Sequence, residues 1–541
     1  MKKKLFAAVS VGVLASSLVL QSAHAAGVPV YLISASDGAT LAVIATTGDT
    51  ISNEVLRGVP DGMGAIKNAD GTITLLSNHE ISTGADIANK KDTGTWASSI
   101  SKMTFDPATK KITKMENWMK SMSYYNYTTE KWGSTWEQSL PVGSIKVDSY
   151  GSIVGTNGIN RLCSGDLVPA GGFAYTEKNA KTKKSVTYGY NDAIYLTGEE
   201  GGGGDVDRAF AFDANGNGMQ LPKFGLAPWE NFLTKPGTGK TTIVMGNEDG
   251  SATDSQLFMY VGTKQTTGAN FAEKAGLTNG KLYTIALEDY RTDNAVRTAP
   301  KGTKIKVGFN EINTNPKYGK FGTMSQANGT TFSRIEDGEF DSKNPNVYYF
   351  LTTESNKDPK ATTPRPGATY SRDGGALWKM TFADAKDPFK GATMEMLLDG
   401  TEAPYLTKPD NLTIDGDYIL IQEDPGNNAH IARLVAYRIS DGKLAEIAKF
   451  DEQYFITGAA KFMTQDEESS GIINVNKFLK ANGDTKSHFF LNAQVHSKVS
   501  VARPDLVAGL GTTEVMALDS KAIEGGQYYH LAVDWTKVTF A

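Results

Sequence analysis

The sequence predicts an all-β protein, and a β-propeller with loop insertions is the architecture that it favours. The chain of 541 residues contains 56 glycines, 22 tyrosines and 23 phenylalanines, a composition typical of aromatic strands joined by tight turns. Long amphipathic helical patterns are scarce. Radial repetition of small sheets accommodates a chain that exceeds the usual size of one compact core. A protein of two β-sandwich domains is the alternative.

One pattern recurs along the chain: a small or polar turn is followed by a short strand that carries an aromatic residue. It occurs at 207–212, 256–261, 280–285, 375–382 and 432–439, and facing strands are predicted at 347–352 and 417–422. Residues 118–136 and 289–319 interrupt the pattern and are predicted to be insertions. No low-complexity linker separates the units, so one domain is expected from residue 26 to residue 541.

The first 25 residues have the pattern of a secretory signal peptide. A positive segment at 2–4 precedes an uncharged apolar stretch at 5–20, and Ala23-His24-Ala25 fits a cleavage site after Ala25. No arginine pair precedes the stretch, so we expect export by the Sec route and a periplasmic or secreted protein. No other segment has the length and apolarity of a membrane span, so no membrane association is expected after cleavage.

Charge and cysteine content restrict the partners and the chemistry. With 55 basic and 60 acidic residues the net charge is −5, so binding of nucleic acid through a basic face is not expected. Cys163 is the only cysteine and cannot form an internal disulfide. Its thiol is either buried and inert, or it is a thiolate that acts as a nucleophile or metal ligand.

Motifs of several enzyme classes are missing from the sequence or incomplete. The sequence has no H-E-x-x-H zinc-protease motif and no G-x-S-x-G nucleophile elbow. The segment at 237–242 ends like a phosphate-binding Walker loop, but Thr234 stands in place of the first glycine. The segment at 213–218 matches half of a calcium loop, but its twelfth position is Phe224, so a turn is predicted there.

Carboxylates stand next to predicted strands in six segments. These segments are Glu199-Glu200, Glu230, Glu248-Asp249, Glu336-Asp337, Asp410-Asn411 and Glu423-Asp424. In a propeller, the strand ends and loops on one face surround a central channel, so these side chains could converge there. Their mutual repulsion would then be relieved only by bound cations.

Short motifs along most of the chain resemble, in their order, those of the PhoX-type alkaline phosphatases, which are calcium- and iron-dependent phosphoesterases. The motifs lie at 60–64, 76–80, 162–165, 195–200, 224–230, 248–250, 332–336, 409–412 and 490–496. The resemblance implies a propeller of six blades and an exported enzyme that hydrolyses phosphate monoesters. It also implies Ca²⁺ and Fe³⁺ as cofactors.

The resemblance further implies a set of site residues. Cys163 is implied to bridge two ferric ions and Arg334 to bind the substrate phosphate, which makes these two the candidate catalytic residues. The implied metal ligands, besides Cys163, are Glu200, Glu230, Glu336 and Asp410, and further metal or substrate contacts are expected at Glu80, Glu199, Asp249 and Asn411. A thiolate suits a transition metal and carboxylates suit calcium. If 334–336 is a strand, its period of two points Arg334 and Glu336 to the same face.

Three features depart from the family. Residues 177–187 form a Lys-rich insertion, Trp229 rather than His precedes Glu230, and the signal is not of the twin-arginine type. The hypothesis is a monomeric propeller phosphoesterase that acts on small phosphorylated substrates. The alternatives are another calcium-dependent propeller hydrolase, such as a lactonase or esterase, and a non-enzymatic calcium-binding propeller in which Cys163 is merely buried.

Overall fold

The computed structural model describes residues 27–82, 98–134, 146–147, 153–154, 159–178, 180–201, 205–251, 253–354 and 374–541. Strands dominate these ranges, which confirms the predicted all-β class. The signal peptide predicted at 1–25 lies outside the described residues. Within the described residues, no helix is long and apolar enough to span a membrane.

The strands, numbered in chain order, form five large sheets. From its innermost strand outward, the first sheet contains β5 (Pro60–Lys67), β6 (Ile73–His79), β7 (Ser99–Asp106) and β8 (Lys111–Asn117). In the same direction, the second sheet contains β13 (Leu162–Val168), β16 (Ile194–Glu199), β17 (Ala209–Asp213), β18 (Asn217–Gln220), β9 (Ser121–Asn126) and β10 (Lys131–Gly133). Neighbouring strands are antiparallel except for β9 and β18, which are parallel.

The third sheet has nine strands and consists of two four-stranded units joined through one shared strand, β23. The units are β19 (Trp229–Thr234), β20 (Thr241–Glu248), β21 (Leu257–Thr263) and β22 (Lys281–Leu287), and β24 (Ile335–Phe340), β25 (Val347–Thr352), β26 (Ala376–Phe382) and β27 (Ala392–Leu398). Strand β23 (Ile305–Ile312) pairs with β22 on one side and with β27 on the other.

The last two large sheets contain both ends of the described chain. The fourth sheet contains β28 (Pro409–Asp415), β29 (Tyr418–Glu423), β30 (Arg433–Arg438), β31 (Lys443–Phe450) and β1 (Leu32–Ser34). The fifth sheet contains β32 (Glu467–Asn474), β33 (Ser487–Val495), β34 (Gly525–Val533) and β2 (Ala39–Thr46). Because β1 pairs with β31 and β2 pairs with β34, an N-terminal segment completes sheets built from the C-terminal part of the chain.

Short elements connect and cover the sheets. Three hairpins are formed by β3 (Thr50–Ile51) with β4 (Glu54–Val55), β11 (Lys146–Val147) with β12 (Ile153–Val154), and β14 (Ala174–Lys178) with β15 (Ser185–Gly189). The helices are α1 (Phe271–Ala275), α2 (Asp293–Val296), α3 (Phe321–Asn328), α4 (Glu452–Phe455), α5 (Asn476–Leu479), α6 (Val499–Ala502), α7 (Pro504–Val507) and α8 (Thr512–Ala522).

The innermost strands contact one another in a closed cycle. Strand β5 contacts β13, which contacts β19, and the cycle continues through β24, β28 and β32 back to β5. The approach is close: a Cβ on Gly62 in β5 would lie 2.3 Å from the backbone nitrogen of Gly165 in β13, so only glycine fits at position 62. A single closed cycle is incompatible with two separate β-sandwich domains.

Apolar side chains fill the spaces between neighbouring sheets. Trp229 lies in the cluster between the β13 and β19 units, Trp378 between the β19 and β24 units, and Phe490 between the β32 and β5 units. Several central strands, such as β21 and β25, are buried along most of their length, and the aromatic residues noted in the sequence supply much of the buried area.

The three predicted insertions contain regular structure. Residues 118–136 include the edge strands β9 and β10, and residues 135 and 136 lie outside the described part of the chain. Residues 177–187 belong largely to the β14–β15 hairpin, and residues 289–319 include α2 and β23. Aromatic and polar residues that disrupted the sequence pattern therefore belong to outer strands, where one side faces solvent.

Candidate metal centre

One backbone hydrogen bond recurs at the same end of every innermost strand. The N–H of the residue that follows the second strand of each unit donates to the carbonyl of the residue that precedes the innermost strand. The pairs are Glu80–Val59, Glu200–Arg161, Asp249–Pro228, Thr353–Arg334, Asp424–Lys408 and His496–Asp466, at 2.9 to 3.1 Å. The repeat brings two equivalent positions of each unit to one end of the cycle.

The second residue of every innermost strand carries a potential metal ligand. These inner-ring residues are Asp61, Cys163, Glu230, Glu336, Asp410 and Glu468. In all but the last of these strands the pairing register shifts at this position, as in a β-bulge, for example between Pro60 and Met63. A bulge re-aims side chains relative to the sheet, which accounts for the common orientation of these residues toward the axis.

The inner-ring residues except Asp61, and the residues after the second strands except Thr353, line one cavity of about 370 Å³ at this end of the axis, called here the axial cavity. Its titratable lining residues are Glu80, Arg161, Cys163, Glu200, Glu230, Asp249, Arg334, Glu336, Asp410, Asp424, Asp466, Glu468, His496 and Glu524. Carboxylates greatly outnumber basic groups in this set. The cavity therefore attracts cations, and bound cations would stabilise its lining.

Three groups of potential ligands lie side by side in the cavity. They are Asp61 with Glu80 and Cys163, Cys163 with Glu200 and Glu230, and Glu230 with Glu336 and Asp410, and within each group the ligand atoms lie within 4.8 Å of one another. Cys163 and Glu230 each belong to two groups. The groups therefore form one connected chain of ligands, as expected for several metal ions with shared ligands.

Cys163 is buried, and its thiol donates to Oδ2 of Asp61 across 3.0 Å. Burial raises the pKa of the thiol well above its usual value, and the neighbouring carboxylates of Asp61 and Glu230 raise it further. Without a cation the thiol is therefore protonated. A metal ion would reverse this balance, because the thiolate is the form that binds metals.

The carboxylates of the inner ring are destabilised in their charged forms. Burial, followed by repulsion from neighbouring carboxylates, raises the pKa values of Asp61, Glu230, Glu336 and Asp410 well above the usual range. One oxygen of Asp61, Oδ1, is buried without a hydrogen-bond partner. An unpartnered buried oxygen beside a thiol and further carboxylates fits a position that binds a cation. The donor set of hard oxygens and one sulfur is therefore compatible with the metals that the family resemblance implied.

Arg334 lies beside this ligand chain rather than within it. Its Nε donates to Oδ1 of Asp249 across 2.9 Å, its Nη2 contacts Oδ2 of the same residue, and Glu336 is 3.6 Å away. Arg334 precedes β24 and has a left-handed φ of +59°, so the expected strand alternation does not apply to it. It reaches the cavity with Glu336 because the chain turns there, not because of a period of two.

Two residues implied by the resemblance lie outside the cavity lining. Glu199 forms a buried ion pair with Arg208 and accepts the backbone N–H of Asn160 at 2.9 Å, which fastens the segment before β13. Asn411 donates to Ser164 Oγ at 2.8 Å and lies 3.5 Å from Oε1 of Glu230. Asn411 thus contacts the potential ligand Glu230 from outside the cavity lining. Glu199 is held in a buried ion pair that supports the fold.

The structure adds residues to the site that the sequence did not single out for it. They are Asp61, Arg161, Asp466, Glu468, His496 and Glu524. A partial signal was present, because Pro60-Asp61 and Pro409-Asp410 begin equivalent strands with the same dipeptide. Aligning the innermost strands on their second residue would have identified Asp61 and Glu468. Arg161 could have been found as the counterpart of Arg334, since each precedes an innermost strand.

The architecture was compared with known proteins. No protein-family model matches the sequence, and no curated protein matches it. Among solved structures, Pseudomonas fluorescens PhoX in complex with vanadate, a transition state analogue, matches with a TM-score of 0.58 over 93% of this chain and 96% of that chain. The two proteins share a fold. They are 12% identical in sequence, and the resemblance seen in the short motifs is confirmed at the level of the fold.

Other solved structures match with lower scores. NanB in complex with optactamide matches with 8% identity over 92% of this chain and 70% of that chain, at a TM-score of 0.34. A europium-containing methanol dehydrogenase matches with 12% identity over 91% of this chain and 93% of that chain, at a TM-score of 0.28. These scores are too low to indicate a shared fold.

Proposed function

We propose that the chain is an exported, metal-dependent phosphoesterase that hydrolyses phosphate monoesters in the axial cavity of a six-bladed propeller. The observation that carries the proposal is the connected chain of carboxylates and one thiol at equivalent positions of successive innermost strands. Six innermost strands in a closed cycle support the blade number. The shared fold supports the reaction class, because the matching PhoX structure holds vanadate described as a transition state analogue.

The proposed metals are Ca²⁺ and Fe³⁺. Cys163 and the ligands next to it, Glu200 and Glu230, suit a transition metal because the thiolate is a soft ligand. Glu336 and Asp410 supply hard oxygen ligands of the kind that calcium prefers. When bound, such ions supply positive charge for the phosphoryl oxygens and lower the pKa of bound water.

The chain's own residues would orient the ester. Arg334 is the candidate phosphate-binding residue, because its planar guanidinium can donate two hydrogen bonds to phosphate oxygens. Asp249 holds Nε and Nη2 of Arg334, which leaves the guanidinium a fixed orientation in the cavity lining. Substrates small enough for a cavity of about 370 Å³ are expected, in a monomeric protein located in the periplasm or secreted.

Metal analysis combined with a hydrolysis assay tests the proposal. Purified protein loaded with iron and calcium should release nitrophenol from p-nitrophenyl phosphate, and exhaustive chelation should abolish the activity. Glu230→Gln removes a ligand shared by two groups, so it should lose both metal and activity. Glu311→Gln is the matched control, because Glu311 is an exposed residue paired with Lys281 and lies outside the cavity.

The alternatives predict different outcomes. Bound calcium without iron, together with cleavage of lactones or carboxylic esters but not of phosphate esters, would favour another propeller hydrolase. Bound calcium without any hydrolysis would favour a binding protein. Absence of both metals in protein exposed to them would contradict a metal centre in the axial cavity.

A further inference from the structure

Two arginines occupy equivalent positions in the repeat. Arg161 precedes β13 and Arg334 precedes β24, with left-handed φ values of +45° and +59°, and each carbonyl accepts the recurring hydrogen bond described above. Left-handed backbone is unfavourable for a residue with a long side chain. Of the six residues in this position, these two line the axial cavity with a basic group, with side chains 20% and 28% exposed.

A chain of polar contacts joins the two arginines on one side of the cavity. Arg161 Nη2 lies 3.4 Å from Oε2 of Glu200, a side-chain hydrogen bond joins Glu200 to Asp249, and Asp249 binds Arg334. Across these three contacts and the two carboxylate groups between them, the two guanidinium groups lie on the order of 10 Å apart. One small molecule can therefore reach both.

Bound metal would change the charge around Arg161. The guanidinium contacts Glu80 and Glu200, and its Nε donates to the Glu200 carbonyl at 3.0 Å. Both glutamates belong to the ligand groups, so metal ions would take up their negative charge. A guanidinium is charged at all relevant pH values. Arg161 would then present to the cavity a positive charge that Glu80 and Glu200 compensate less.

We propose that Arg161 is a specificity-determining residue that binds a second anionic group of the substrate. The preferred substrates are then phosphate esters that carry a carboxylate or another acidic group a few bonds from the phosphate. This inference rests on the proposed function, in which Arg334 binds the phosphoryl group. It explains why an acidic cavity has two guanidinium groups at equivalent positions on the side where they share the Glu200–Asp249 pair.

Ligand binding tests the proposal without relying on turnover. Calorimetry of the metal-loaded protein should compare phosphonoacetate, which has a phosphonate and a carboxylate, with ethylphosphonate, which has only the phosphonate. Wild type should bind phosphonoacetate about 10- to 100-fold more tightly, as expected for one charge-assisted contact. Arg161→Gln should bring the ratio close to one, and Arg161→Lys should retain part of it. Arg438→Gln, an exposed arginine paired with Asp441, should leave the ratio unchanged.

Metal content and melting temperature, measured on each variant, separate binding from support of the ligands. Equal weakening of both phosphonates together with metal loss in Arg161→Gln would show that Arg161 only holds Glu80 and Glu200, and would overturn the proposal. An unchanged ratio in a folded, metal-loaded variant would also overturn it. If Arg161→Gln fails to fold, the reduced ratio expected for Arg161→Lys remains decisive. Failure of wild type to hydrolyse any phosphate ester while it binds phosphonates would contradict the proposed function instead.

Discussion

Removing metal should make the protein lose stability as the pH rises from 5 to 8. Glu468 of the inner ring shows the cause most directly: burial, with repulsion from Asp424 and Glu80, raises its pKa to about 7, although His496 opposes the shift. In an unfolded chain a glutamate titrates near 4.3. Between these two pH values the folded state binds more protons than the unfolded state. The free energy of unfolding therefore falls as the pH rises through this window.

The size of the effect follows from the same numbers. A rise from 4.5 to about 7 corresponds to roughly 3 kcal/mol for Glu468 alone. The pKa values of Glu230 and Asp410 are raised in the same direction. His496 adds to the trend, because its own pKa is raised by Glu468 and Glu524 despite burial, and the stability it contributes is lost as the pH rises through that value. This loss is a large fraction of the ~5–15 kcal/mol that is typical for the free energy of unfolding of a protein.

Urea unfolding followed by circular dichroism measures the effect. Chelated protein should have a lower free energy of unfolding at pH 8 than at pH 5, and calcium should restore stability more at pH 8, where the carboxylates are charged. Glu468→Gln in the chelated protein should reduce the slope with pH, whereas Glu311→Gln, at an exposed ion pair, should not. Chelated protein whose stability is constant or rises between pH 5 and 8 would refute the reasoning.

Three substitutions test individual roles. Cys163→Ser should lose iron and most phosphatase activity, because serine replaces a ligand shared by two groups. Arg334→Ala should lower kcat/KM for p-nitrophenyl phosphate about 30- to 1000-fold with metal content unchanged, since the residue is not a ligand. Glu199→Gln should destabilise the protein by about 3–5 kcal/mol in thermal or urea unfolding without affecting metal affinity, because it removes the negative charge of a buried ion pair with Arg208.

Each of these predictions has a result that contradicts it. A serine variant that keeps iron and full activity would make Cys163 a structural residue. Full kcat/KM and unweakened inhibition by inorganic phosphate in Arg334→Ala would remove that residue from the site. Loss of metal in a folded Glu199→Gln protein would show that Glu199 acts on the metal centre, contrary to its position beside Arg208.

Local sequence was a good guide to the strands and a partial guide to the site. The aromatic segments at 256–261 and 375–382 became β21 and β26 because short aromatic-rich runs bounded by turn residues specify strands locally. The β9 and β10 strands were predicted as part of an insertion, since outer strands with one exposed face have a weaker pattern. Glu199 and Glu200 appeared equivalent in sequence, yet one binds Arg208 and the other lines the cavity.

The sequence by itself determined the all-β class and more than half of the titratable residues that line the axial cavity, because turn chemistry, strand pattern and motif order are local properties. Only the tertiary structure decided which residues meet. Asp61 lies 102 residues from Cys163, yet its carboxylate contacts the thiol, because closure of the strand cycle places the second residues of all innermost strands at one end. Closure of the strand cycle also placed Arg161 and Arg334 in the lining of the same cavity. Contacts of this kind depend on register, bulges and packing between distant strands, which no local pattern specifies.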